Sequence, residues 1–155
     1  MKPLAVVTST FVAVLLIGCD TVSGSRRTAT VTRLPTASTV TAALSAIPGV
    51  QRVTQREVPP QTLWGLYDGV IHEPAYNQFS FHSATTGGTV ETKQDSKGVK
   101  TIQLYTLWMN YTPSKPKFDQ TRSFLDAAYL SLRRADPSLP PPEELKETLI
   151  RYPSK

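Results

Sequence analysis

Phe79-Ser80-Phe81-His82, Thr85-Thr86-Gly87-Gly88, Thr89-Val90-Glu91-Thr92-Lys93-Gln94, Asp95-Ser96-Lys97-Gly98 and the run from Val99 to Asn110 form the stretch whose reading decides the fold. Phe79 and Phe81 alternate with polar neighbours, the period of two expected of a half-buried strand, and the small-residue groups between the runs are hairpin turns. A three-stranded antiparallel meander follows. In its last strand Ile102, Leu104 and Trp108 fall on one face and Tyr105, Leu107 and Met109 on the other, which predicts a central strand covered on both sides.

Downstream, Pro113 to Lys117 breaks the sheet. Phe118, Thr121, Phe124, Leu125, Ala128, Tyr129 and Leu132 then mark one stripe of an amphipathic helix of about five turns. Asp119 near its start and Arg133-Arg134 near its end suit the helix dipole, and Asp136-Pro137 ends it. Pro142-Glu143-Glu144 predicts a last short helix, with Leu145 and Leu149 on one side and Glu147 placed to pair with Arg151.

Upstream, Val40, Ala43, Leu44 and Ile47 recur at helical spacing until Pro48-Gly49, and Val50 to Val58 reads as a strand closed by Pro59-Pro60. Leu63 to Ile71 is apolar but interrupted by Gly65, Asp68 and Gly69, so it reads as a bent strand or a loop on the core. The sum is an α+β domain over residues 39–155: a short N-terminal helix, an antiparallel sheet of four to five strands, a long helix on one face and a short last helix. The phrase Ala43-Leu44-Ser45-Ala46-Ile47-Pro48-Gly49-Val50 resembles the helix-to-strand turn of small ferredoxin-like modules, including heavy-metal-associated domains. Their CxxC pair is missing here, so the turn carries over and the metal does not.

Of the 155 residues, 39% are hydrophobic and 19% charged, the balance of one globular domain. The basic residues, 17 against 12 acidic, are scattered in ones and twos, which argues against a nucleic-acid partner and for weak attraction to anionic lipid headgroups. Cys19 is the only cysteine, so the chain has no internal disulfide. Residues 20–38 are dominated by Ser, Thr, Arg and Gly and read as a flexible tether.

The N-terminus has the three parts of an export signal: a positive start at Lys2, an apolar stretch from Leu4 to Ile17 and the small Gly18. That stretch is about 14 residues, short of the roughly 20 that span a bilayer as a helix. Leu16-Ile17-Gly18-Cys19 resembles the bacterial lipobox. The resemblance implies a signal peptide over residues 1–18, a diacylglycerol on Cys19 with further acylation such as palmitate on the new amine, and a tether over residues 19–38. Asp20 resembles the retention signal of inner-membrane lipoproteins, which places the protein on the periplasmic face, with a Gram-positive outer surface as the alternative.

No motif after Cys19 carries a recognisable chemistry. His72-Glu73 and His82 are the candidates for metal or acid–base work, but they lack HExxH spacing and a fourth strong ligand, and ordinary surface or strand histidines are the better reading. Ser83 to Thr89 is rich in small residues, yet a strand follows where a phosphate loop needs a helix. No serine lies in a GxSxG or SxxK context, and no cofactor is expected. The aromatic residues between Trp64 and Tyr111 follow strand alternation and read mainly as core, with Trp64, Tyr67 and Tyr76 the first place to seek a binding surface.

Three functions fit this reading. The first is a non-enzymatic, membrane-tethered domain that binds an envelope protein or cell-wall polymer. The second is a ligand-binding or hydrolytic domain with a pocket near Trp64, Tyr67, His72 and His82, which requires the histidines to converge. The third is an assembly factor that takes up a client strand at an exposed edge, with Thr89 to Gln94 guarded by Glu91 and Lys93.

Overall fold

The computed structural model describes residues 22–65, 69–151 and 153. Strands β1 (Val22–Val31), β2 (Val50–Val58), β5 (Tyr76–Ser83), β6 (Gly87–Gln94), β7 (Lys100–Met109) and β8 (Lys146–Ile150) form one sheet in the order β2-β5-β6-β7-β1-β8. All of its pairings are antiparallel. Strands β3 (Gln61–Gly65) and β4 (Gly69–Glu73) make a separate hairpin between β2 and β5. Helices α1 (Ala37–Ser45) and α2 (Lys115–Ala135) complete an α+β fold, and no described helix is long and apolar enough to cross a membrane.

The meander β5–β6–β7 and the strand β2 form where the alternation predicts them. Phe79, Phe81, Val90, Ile102 and Leu104 are fully buried on one sheet face, where they meet Val40 and Leu44 of α1 and Leu125 and Leu132 of α2. Burying a side chain of this size stabilises the fold by about 1.5–3 kcal/mol, so this single layer carries most of the stability. Thr36 caps α1 by accepting a hydrogen bond from the Thr39 amide, and the helix ends before Gly49, whose φ of +83° suits glycine. Asp136 follows α2 and accepts from Ser138 and from Arg33, which ties the loop before α1 to the end of α2. The Ser138 hydroxyl, with Arg33 beyond it, holds the Asp136 carboxyl below its ordinary range.

Several expectations are corrected. The tether does not extend over residues 22–38: Val22–Val31 is a strand inserted between β7 and β8, so the domain includes these residues and is not confined to 39–155. Alternation is present there, but the buried positions are Ser23, Ser25 and Arg27 before Ala29 and Val31, so polarity masks it. Tertiary partners compensate: Arg27 pairs with Asp126 on α2 at 2.6 Å and with Glu147 on β8 at 3.1 Å.

The last helix is also overturned. Only a single 3-10 turn, Pro142–Glu144, precedes β8, whose register with β1 supplies backbone partners a helix would forgo. Glu147 accordingly pairs with Arg122 and Arg27, not with Arg151. The sheet has six strands, not four to five, and Leu63 to Ile71 falls in the β3–β4 hairpin. Thr89 to Gln94 lies inside the sheet between β5 and β7, so it is no exposed edge; β2 and β8 are the edges. Strand β7 is central as expected, but both helices pack on one face, and no described helix covers the other.

Candidate functional site

The register defines what this open face carries. Cross-strand partners share a face, so Arg56, Gln78, Glu91, Gln103, Thr28 and Lys146 form one row from edge to edge, and Thr54, Ser80, Thr89, Tyr105, Arg26 and Thr148 form the next. Glu91 is 4% exposed although no described helix lies over it. Its Oε1 accepts from Tyr105 Oη at 2.7 Å and from Gln78 Nε2 at 2.8 Å, and its Oε2 faces Lys93 Nζ at 2.7 Å. Arg56 Nε donates to Gln78 Oε1 at 2.6 Å, and Lys93 Nζ stands 4.1 Å above the ring of Tyr76. Arg56, Gln78, Glu91, Tyr105, Lys93 and Tyr76 are thus one connected cluster across four strands.

Such a cluster fixes its side chains in place. Burial, then the Glu91 charge and its hydrogen bond, push the Tyr105 phenol well above its ordinary range, with the Gln78 amide opposing them. Burial first, with Glu91 and Glu73 adding and Arg56 opposing, pushes the Tyr76 phenol up to about 12. Both phenols therefore keep their protons at neutral pH, and Tyr105 donates its own to Glu91.

Beside the cluster a depression of about 400 Å³ is lined by Arg56, Gln78, His82, Gly87, Tyr105, Leu107 and Met109. His72 and Glu73 belong to a different depression, of about 350 Å³, walled by Tyr76 and Lys93. The histidines thus line no common pocket among the described residues, and no described group of three His, Cys, Asp or Glu side chains is placed to hold a metal. Ser83 to Thr89 forms a hairpin turn closed by the Ser83 amide on Thr86 O at 2.8 Å.

On the helix-covered side, a depression of about 330 Å³ is lined by Arg27, Arg122, Asp126 and Glu147. Arg122 grips Glu147 through two nitrogens at 2.8 and 2.9 Å. These bonds, with Arg27 nearby, hold the Glu147 carboxyl below its usual range. Each charge here is matched, and the cluster joins the helix layer to the sheet.

Among the residues singled out in the sequence, Tyr76 is half-buried in the cluster and Trp64 pairs with Val70 in the hairpin. The Trp64 side chain, Tyr67 and Cys19 lie outside the described residues. Phe79 and Phe81 belong to the core, Trp108 packs on Phe118 with ring centroids 5.4 Å apart, and Tyr111 is exposed. What sequence reading missed is the polar row itself and Arg26. The Nε of Arg26 is buried without a hydrogen-bond partner, and its guanidinium has no ion pair among the described residues. The alternation of Arg52, Thr54 and Arg56 was the signal available for one end of this face.

No family model matches the chain, and neither the curated proteins nor the solved structures give a match.

Proposed function

We propose that the chain is a lipid-anchored, non-enzymatic binding domain of the bacterial envelope whose open sheet face takes an acidic segment of another envelope protein. The observation that carries the reading is the charge of that face. By register it presents Arg26, Arg52, Arg56, Lys93 and Lys146, while its acid, Glu91, is already matched by Lys93. Arg26 gives a specific reason to expect an acceptor, because a buried guanidinium nitrogen without a partner is costly. The anchor is proposed from the likeness of Leu16 to Cys19 to a lipobox, and the inner-membrane location from Asp20. A pocket enzyme built on His72 and His82 is less well supported, since its histidines line separate depressions.

Photo-crosslinking in cells tests the binding face. A crosslinker replacing the exposed Thr54 on β2 should capture a partner, and one replacing the exposed Ser123 on α2 should not. Arg52→Glu with Arg56→Glu should abolish the Thr54 adduct while membrane attachment persists. Equal capture from both positions, or capture indifferent to charge reversal, would sink the reading, and an adduct to wall polymer alone would replace the protein partner. For the anchor, Cys19→Ser should stop maturation or release the protein from membranes.

A further inference from the structure

Resting on the proposed lipid at Cys19, we infer that the end of the domain at which β1 begins docks directly on an anionic lipid surface. Only Asp20 and Thr21 separate Cys19 from Val22. Fully extended, those three peptide units reach roughly 11 Å, so the start of β1 cannot leave the headgroup layer by more than about one headgroup thickness. Without the long tether, the lipid fixes which end of the domain meets the membrane.

That end has the composition its position requires. Val22 pairs with Met109, and Ser23 donates its hydroxyl to Tyr111 O, which places Met109 and Tyr111 beside the start of β1. At 53% and 45% exposed, Tyr111 and Met109 are the two most exposed large hydrophobic side chains among the described residues. Ile150 pairs with Gly24, so Arg151 follows at the same end. Lys117 bonds Thr85 O in the β5–β6 turn, which brings the start of α2, with Lys115 and Lys117, there too. An exposed tyrosine and methionine at the same end as Arg151, Lys115 and Lys117 is the pattern of an interfacial contact: apolar groups at the acyl boundary and cations at the phosphates.

The lysines supply an independent argument. The first turn of α2 holds Lys115 and Lys117 and no acid, although the dipole makes a helix N-terminus unfavourable for cations. Asp119 restrains Lys115 at 3.0 Å, and Lys117 is held by a carbonyl, so both charges are kept at this end despite the local cost. A lipid phosphate surface offsets that cost; an acidic protein is the competing source of the same charge, and the test separates the two.

Lipidation of Cys19 would consume the sole thiol, so an introduced cysteine carries a unique fluorophore. The lipidated full chain is reconstituted into phosphatidylcholine vesicles, with and without phosphatidylglycerol, that contain a headgroup-level quencher. A label at Tyr111→Cys should be quenched strongly, and one at Lys97→Cys, in the turn at the far end of β6, at least about fivefold less. Lys115→Glu with Lys117→Glu should lower the docked-to-undocked ratio in phosphatidylglycerol vesicles by about tenfold or more, with flotation and the thermal unfolding midpoint retained. Flotation with labels 111 and 97 equally unquenched, or quenching at 111 indifferent to phosphatidylglycerol and to the lysine reversals, overturns the docking and leaves the anchor standing. An unmodified mass at Cys19 and no flotation overturn the anchor reading and the inference with it.

Discussion

The two faces of the sheet solve the burial of charge in different ways. On the covered face Arg27 is matched both by Glu147 on the neighbouring strand β8 and, across the layers, by Asp126 on α2. On the open face Glu91 is satisfied wholly by neighbours within the sheet, Gln78, Lys93 and Tyr105. The first arrangement couples elements distant in sequence. The second lets a surface hold its shape through contacts within the sheet alone, as a preorganised contact needs.

Substitutions can break this contrast, and the largest effect belongs to the covered face. Leu104→Ala, fully buried under the helices, should cost about 2–5 kcal/mol in urea denaturation, whereas Leu107→Ala, one step beyond Tyr105 on the open face, should cost about 1 kcal/mol or less. Equal costs would mean that the open face is also a packed core. Next comes Glu91→Ala, which removes the acceptor of the Tyr105 hydroxyl and one of the two acceptors of the Gln78 amide, and should destabilise by about 1–3 kcal/mol. If the phenol is then freed of the Glu91 charge, ultraviolet titration should show Tyr105 ionising at lower pH than in the parent.

The adjacent glycines of β6 give a smaller but cleaner comparison. A Cβ at Gly88 would lie 2.7 Å from Phe81 Cζ and 2.9 Å from Leu125 Cδ2, in packed core; a Cβ at Gly87 would meet chiefly the exposed His82 ring, at 2.5 Å from Nδ1. Gly88→Ala should therefore cost about 1–3 kcal/mol and Gly87→Ala well under 1, because His82 can swing aside. The smallest effect is in pH. Glu147 is held below the ordinary 4.5, so its contribution is present above that value and disappears as pH falls through the lowered folded value. Urea midpoints should decline through this acid range, and Glu147→Gln should flatten the decline.

These contrasts also explain what the sequence could disclose. Strands β5 to β7 and helix α2 were legible because Phe79, Phe81, Ile102 and Leu104, and the stripe from Phe118 to Leu132, put hydrophobic residues at the period of their own elements. Strands β1 and β8 were not: Ser23, Ser25 and Arg27 are held by side-chain and backbone partners more than eighty residues away, and Lys146-Glu147-Thr148-Leu149-Ile150 becomes a strand only beside β1. The open-face cluster was hidden for a related reason. Arg56, Gln78, Glu91 and Tyr105 are unremarkable singly, and it is register that sets them in contact, while the two histidines, conspicuous in sequence, line separate depressions.

The position of β1 has a mechanical consequence. Under the proposed anchor, any pull between membrane and partner enters the domain at Val22, at the end of a strand paired on both sides, from Val22↔Met109 to Val31↔Lys100 and from Gly24↔Ile150 to Thr28↔Lys146. A load along β1 shears those hydrogen bonds together instead of peeling them one at a time, as it would at an edge strand. The domain is built to stay folded under tension at its tether, and it should lengthen abruptly, in one step, when β1 is finally drawn out.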